Sequence, residues 1–155
     1  MRFMLILLAA GSLAFLSCKK DKILSPEEQL QEDIGIIKDY IARNGLTAQS
    51  TPSGLHYVIT KEGFGNHPTA NSTVVVEYEG YLTTGLVFDG TDVGKQDTFQ
   101  LSNVIAGWQE GIPLLRKTGK GTFLIPSALG YGPEGAGNIA GNTVLIFDVQ
   151  LNDFQ

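Results

Sequence analysis

A chain of 155 residues holds one ordinary domain plus a tail and is too short for two comfortable cores. Its formal charge of −5, without a large Lys/Arg cluster, excludes a binder of phosphate backbones, and its single cysteine excludes an internal disulfide or a cysteine-built metal site. Gly63, Gly65, Gly80, Gly85, Gly90 and Gly94 punctuate one half of the chain, none of them in a phosphate-cradling arrangement.

The amino terminus carries a targeting pattern. Arg2 is a minimal charged region, residues 3–15 are apolar with small polar interruptions, and Leu16-Ser17-Cys18 ends the run with a small residue before the cysteine. The run falls short of the roughly 20 apolar residues of a membrane-spanning helix. Residues 1–17 resemble a bacterial lipoprotein signal, cleaved before Cys18 with diacylglycerol placed on its sulfur; an ordinary signal peptide with a chance cysteine is the plainer alternative. Cleavage removes Arg2 and no acid, leaving 10 basic against 16 acidic residues and a charge of −6. Lys19-Lys20-Asp21 has no acid directly after the cysteine, which favours the outer membrane over the inner.

Residues 18–24 read as a solvated tether. Ser25-Pro26-Glu27-Glu28 then starts a helix, with Ser at the cap, Pro at the first helical position and Glu three residues after the cap. Leu30, Ile34, Ile37 and Ile41 make one apolar stripe, and Asn44-Gly45 ends the helix. That stripe in residues 25–45 either docks on the following domain or pairs with a second copy as a homodimer. Residues 46–53 are polar, contain Pro52 and read as a linker to a domain over residues 54–155.

From there the pattern is β. Strands are expected over residues 55–60, 74–82, 86–89, 98–101, 121–125 and 143–151. Val76, Tyr78 and Gly80 alternate with Glu77 and Glu79, whereas the last strand is apolar on both faces, as a central strand is. Between them Val104-Ile105 is extended, Gly107 permits a turn, and Trp108, Ile112 and Leu115 follow at helical spacing. The fold class is therefore α+β, an antiparallel sheet wrapped on one short helix.

Catalytic groups are scarce. His56 and His67 lack an i, i+4 partner, no Ser sits in a GxSxG elbow, and Asp89 and Asp92 make a poor glycosidase pair. The abundant feature is aromatic: Tyr78, Phe88, Phe99, Trp108, Tyr131 and Phe147 stand at strand ends and turns, where ordinary core aromatics also stand.

Six segments in order carry more information. Val76-Glu77-Tyr78-Glu79-Gly80-Tyr81-Leu82, Gly85-Leu86-Val87-Phe88-Asp89, Phe99-Gln100-Leu101, Val104-Ile105-Ala106-Gly107-Trp108, Ile125-Pro126-Ser127 with Gly130-Tyr131-Gly132, and Leu145-Ile146-Phe147-Asp148-Val149 resemble the signature of FKBP-type peptidyl-prolyl cis–trans isomerases over residues 54–151. The resemblance implies a sheet curled around a short helix and a prolyl pocket with no cofactor and no metal. Its residues would be Tyr78, Phe88, Asp89, Phe99, Val104, Ile105, Trp108, Tyr131, Ile139 and Phe147. Trp108 would be the floor and Phe88, Phe99 and Phe147 the walls. The Ile105 N–H and the Tyr131 hydroxyl would hold peptide carbonyls, and Asp89 would order the loop and the Tyr78 hydroxyl. Glu79, Gly90-Thr91, Asp97 and Ala140-Gly141 depart from the family pattern, the last loosening the loop around Ile139. The expected partners are proline-containing polypeptides of the cell envelope and, through Cys18, a membrane. A lipoprotein that binds proline segments as a chaperone, with little turnover, is the alternative, as is a structural lipoprotein whose helix is the working part.

Overall fold

A computed structural model describes residues 23–155; Cys18 and the cleavage point before it lie outside the described residues. Helix α1 (Pro26–Arg43) begins where the sequence requires it. The Ser25 hydroxyl accepts from the Glu28 N–H at 3.2 Å, and the Glu28 carboxylate accepts from the Ser25 N–H at 2.9 Å. Gly45, at φ +62°, ends the helix in a conformation that disfavours a Cβ.

Strands β1 (Gln49–Ser50), β2 (His56–Lys61), β3 (Thr73–Leu82), β4 (Val87–Gly90), β5 (Asp97–Gln100), β6 (Lys120–Ile125) and β7 (Leu145–Phe154) form one antiparallel sheet. The order is β1-β2-β6-β7-β3-β4, and β5 shares with β4 the edge of β3 that faces away from β7. The concave side curls over the short helix α2 (Ala106–Gly111). Val74, Val76, Phe123, Ile125, Leu145, Phe147, Val149 and Leu151 meet Trp108, Ile112 and Leu115 there in the main core.

The convex side has its own apolar layer. Leu124 and Ile146, with Val144 just ahead of β7, pack under the fully buried Ile37 of α1, flanked by Ile36, Tyr40, Ile41 and Tyr81. The apolar second face of β7 is thereby explained. Leu30 and Ile34 reach over the turn before β2, their Cδ1 atoms 3.0 and 3.4 Å from where a Cβ on Gly54 would stand. Of the stripe expected to dock or to pair copies through residues 25–45, Ile37 and Ile41 pack on the chain's own sheet and Leu30 and Ile34 on the turn before β2.

Two local readings need correction. Residues 46–53 are not a plain linker. Gln49 and Ser50 pair with Tyr57 and His56, and the turn between them closes with Thr51 N–H on the Leu55 carbonyl at 2.9 Å. A two-residue edge strand buries nothing, so no apolar alternation marks it. Gly107, read as a turn residue, lies inside α2: a Cβ there would stand 2.5 Å from Ile125 Cγ2, and one on Gly111 2.9 Å from Phe123 Cδ1. Glycines four apart face β6 along one side of the helix and let its backbone lie against that strand.

Candidate functional site

The close seating of α2 fixes Trp108 at the bottom of a cavity of about 260 Å³ lined by Tyr78, Asp89, Phe99, Asn103, Val104, Ile105, Trp108, Tyr131 and Phe147. Trp108 is only 4% exposed and is ringed edge-on by three aromatics. Centroid distances to Tyr78, Phe147 and Phe99 are 5.0, 5.3 and 5.6 Å, with interplanar angles of 90°, 81° and 89°. Edge-to-face contacts of this kind hold rings in fixed orientations. The indole Nε1 is buried without a hydrogen-bond partner among the described residues.

Tyr78 comes from the middle of β3, Phe99 from β5, Phe147 from β7, and Tyr131 from the turns after β6. Gly80 keeps the wall open for the rings: a Cβ there would stand 2.6 Å from Phe147 Cε1 and 3.0 Å from Phe88 Cε2. Ile105 caps α2, its carbonyl accepting from the Trp108 N–H at 2.9 Å and the Gln109 N–H at 3.2 Å. No acceptor among the described residues takes the Ile105 N–H, which leaves a donor at the mouth. Tyr78 donates to Asp89 Oδ2 at 3.0 Å, and Asp89 Oδ1 accepts from the Gly90 N–H at 2.9 Å. Burial, then the Asp89 hydrogen bond, pushes the Tyr78 phenol well above the ordinary tyrosine range. The Tyr131 phenol is raised by burial and then by the charge of Asp89.

Eight of the ten residues expected at the pocket line this cavity; Phe88 and Ile139 do not. Phe88 stands behind the wall, edge-on to Phe147 at 5.5 Å. Ile139 is buried in the core, its N–H held by Ala136 O at 2.8 Å. Asn103, exposed at the rim, is the lining residue that the sequence reading missed. Nothing in its type or spacing marks it.

The histidines serve structure. His56 Nδ1 pairs with Gly54 O at 2.9 Å. His67 Nε2 accepts from Arg116 Nε at 3.1 Å, so its Nδ1 is the donor to Leu115 O at 3.0 Å. Gly130, Gly132 and Gly135 share the spacing of a dinucleotide fingerprint, but β6 leads there into short 3₁₀ turns and not into the helix such a site needs.

The cup is mainly aromatic, with the Ile105 N–H left free at its mouth, an arrangement suited to an apolar ring. The family model of FKBP-type peptidyl-prolyl cis-trans isomerases matches residues 65–152. The chain belongs to this family. It is 49% identical over 117 residues to a probable FKBP-type peptidyl-prolyl cis-trans isomerase FkpA of Neisseria meningitidis, covering 74% of this chain and 42% of that protein. An outer membrane protein MIP of Legionella longbeachae is 44% identical over 102 residues, covering 64% of this chain and 44% of that one. The crystal structure of FkpA from Escherichia coli superposes with a TM-score of 0.72 at 34% identity, over 83% of this chain and 62% of that one. The chain thus spans less than half the length of the curated relatives just named. Its FKBP fold is the expected α+β sheet around a short helix, and the family match begins at Gly65, inside the span read from the six segments.

Proposed function

We propose that this FKBP-family chain is a peptidyl-prolyl cis–trans isomerase acting on X–Pro bonds of exported proteins. The observation that carries the reading is the Trp108 floor ringed by Tyr78, Phe99 and Phe147 beneath an unused Ile105 N–H. Twisting an X–Pro bond crosses a barrier of about 18–20 kcal/mol because amide resonance is lost at the midpoint. No bond breaks, so no nucleophile or proton relay is needed. The twisted amide is less polar than the planar one, and an aromatic-lined site destabilises the planar form more. In this mechanism Trp108 carries the proline ring, Phe99 and Phe147 wall it, and Phe88 holds Phe147 in place. The Ile105 N–H and the Tyr131 hydroxyl hold carbonyls either side of the rotating bond, while Asp89 orients the Tyr78 hydroxyl. Val104 lines the cavity beside the peptide, and Ile139 backs it from the core. A protease-coupled assay on a short X–Pro peptide tests the reading; wild-type protein that leaves the uncatalysed relaxation unchanged sinks it.

The binder without turnover is less well supported. Residues 126–144, between β6 and β7, hold only short turns and leave no room for a second binding domain. For location we propose the cell envelope, with residues 1–17 removed and Cys18 lipidated, the outer membrane preferred. The targeting pattern supports this, as does the similarity to the outer membrane protein MIP of Legionella longbeachae. Cys18→Ser should release the protein from membranes with its turnover intact; native protein whose mass shows no lipid overturns the anchor.

A further inference from the structure

Asp33 is a charged side chain in α1 that is fully buried. Its Oδ2 accepts from the Ser127 N–H at 2.8 Å and from the Ser127 hydroxyl at 2.6 Å, and its Oδ1 accepts from the Gln29 amide at 2.9 Å. Burying a carboxylate is costly unless its acceptor capacity is met, and here both oxygens are used. Docking of α1 does not need it, since Ile37, Leu124, Val144 and Ile146 already form an apolar contact. The value of the contact lies at the other end.

Ser127 opens the 3₁₀ turn Ser127–Leu129, and the first N–H of such a turn has no partner inside it. Asp33, 94 positions earlier, supplies the acceptor. From Ser127 several backbone bonds hold the chain up to the pocket. The Leu129 N–H bonds Pro126 O at 2.9 Å, the Gly130 N–H bonds Ser127 O at 3.0 Å, and beyond Tyr131 the Gly132 carbonyl accepts from the Asn142 N–H at 2.8 Å. Tyr131 stands in the middle of this run and lines the cavity. A shift of Ser127 has little slack to absorb it before reaching the Tyr131 ring.

We propose that Asp33 is a positioning residue: through Ser127 it sets the turn that holds the Tyr131 hydroxyl at the prolyl pocket. Helix α1 is then part of the machinery and not only a spacer from an anchor. The inference rests on the X–Pro reading of the pocket, and the experiment separates the two. In the full chain, kcat/KM on a short X–Pro peptide and the ring NMR shifts of Tyr131 are measured for Asp33→Ala, Asp33→Asn, Tyr131→Phe and the double variant Asp33→Ala with Tyr131→Phe. Asp33→Ala should lower kcat/KM about tenfold and move the Tyr131 resonances. In the Tyr131→Phe background the same change should cost no more than about twofold, because the hydroxyl it positions is gone. Asp33→Asn should stay close to wild type, its amide oxygen accepting from Ser127 and its NH2 donating to a flipped Gln29 amide. Ile37→Ala, which loosens the same helix away from Ser127, should lower stability and leave kcat/KM unchanged. A wild-type rate in Asp33→Ala, or a loss that adds in full to that of Tyr131→Phe, overturns the proposal. Should Asp33→Ala not fold, Ser127→Ala takes its place, with a few-fold loss expected that again vanishes without the Tyr131 hydroxyl. Should wild type show no turnover, the prolyl reading fails, and unmoved Tyr131 resonances in Asp33→Ala then overturn the positioning claim separately.

Discussion

Asp89 accepts the Tyr78 hydroxyl on one oxygen and the Gly90 N–H on the other, so a carboxylate at the pocket mouth is spent on holding its neighbours. Such a group orients; it does not need to exchange protons. Asp89→Asn keeps an acceptor for Tyr78 and should lower kcat/KM by less than about tenfold, whereas Tyr78→Ala or Phe88→Ala should cost more than that. Steady-state kinetics on one X–Pro peptide orders the three variants, and an Asp89→Asn loss exceeding both others makes Asp89 a direct participant.

Rotation in an apolar cup asks no group to titrate near neutrality, so kcat/KM should be flat between about pH 6 and 8. The raised tyrosines act far above that window. For Tyr78 and Tyr131 the folded protein favours the neutral phenol more than the unfolded chain does. Their contribution to stability is therefore complete below the unfolded value near 10 and is lost as pH rises towards the folded values. Denaturant midpoints should fall in that alkaline range, more in wild type than in Tyr78→Phe. A bell-shaped rate profile following His56 or His67 would contradict the desolvation mechanism.

Helix α2 tolerates no added bulk on its β6 side. With the Gly107 Cβ position 2.5 Å from Ile125 Cγ2, Gly107→Ala should destabilise by about 1–3 kcal/mol through overpacking. Gly111→Ala meets the ring of Phe123 at 2.9 Å and should behave alike. Because Trp108 adjoins Gly107 and is the single tryptophan, its emission should shift together with the loss of activity. Equilibrium unfolding followed by fluorescence reads both effects.

The docked stripe gives a stability prediction. Ile37 is fully buried against three side chains of the outer layer, and Ile37→Ala should cost about 2–5 kcal/mol. Ile34→Glu with Ile41→Glu should likewise lower the denaturant midpoint. The same pair should leave the sedimentation coefficient of the folded protein unchanged if the packing of Ile37 and Ile41 on the chain's own sheet uses up the stripe. A dissociating dimer in that experiment would reverse the assignment.

What could be read in advance followed from periodicity and from single rings. The capping box at Ser25, the alternation in β3 and β7 and the lone Trp108 each announce a backbone state or a buried position by residue type alone. Asn103 and β1 carry no such mark, since polar rim and edge positions make no demand on composition. Gly107 was visible but ambiguous: a glycine serves a turn or a close contact equally, and only the distance to Ile125 separates them. The docking of α1 was hidden for a related reason. A helix shows an apolar stripe but not what meets it, and the partner surface, Leu124 with Val144 and Ile146, belongs to two distant segments.

That distance has a consequence for the order in which the molecule assembles. Chains emerge amino end first, so α1 is finished long before anything exists for it to lie on. Ser127 arrives 94 residues after Asp33, and Ile146 later still. Until then the helix has only its own capping box and local turns to sustain it. The sheet must close through β7 before the outer layer can settle, which makes docking of the first helix a late event with a high loop-closure cost. Among the described residues, α1 is thus made early and seated late.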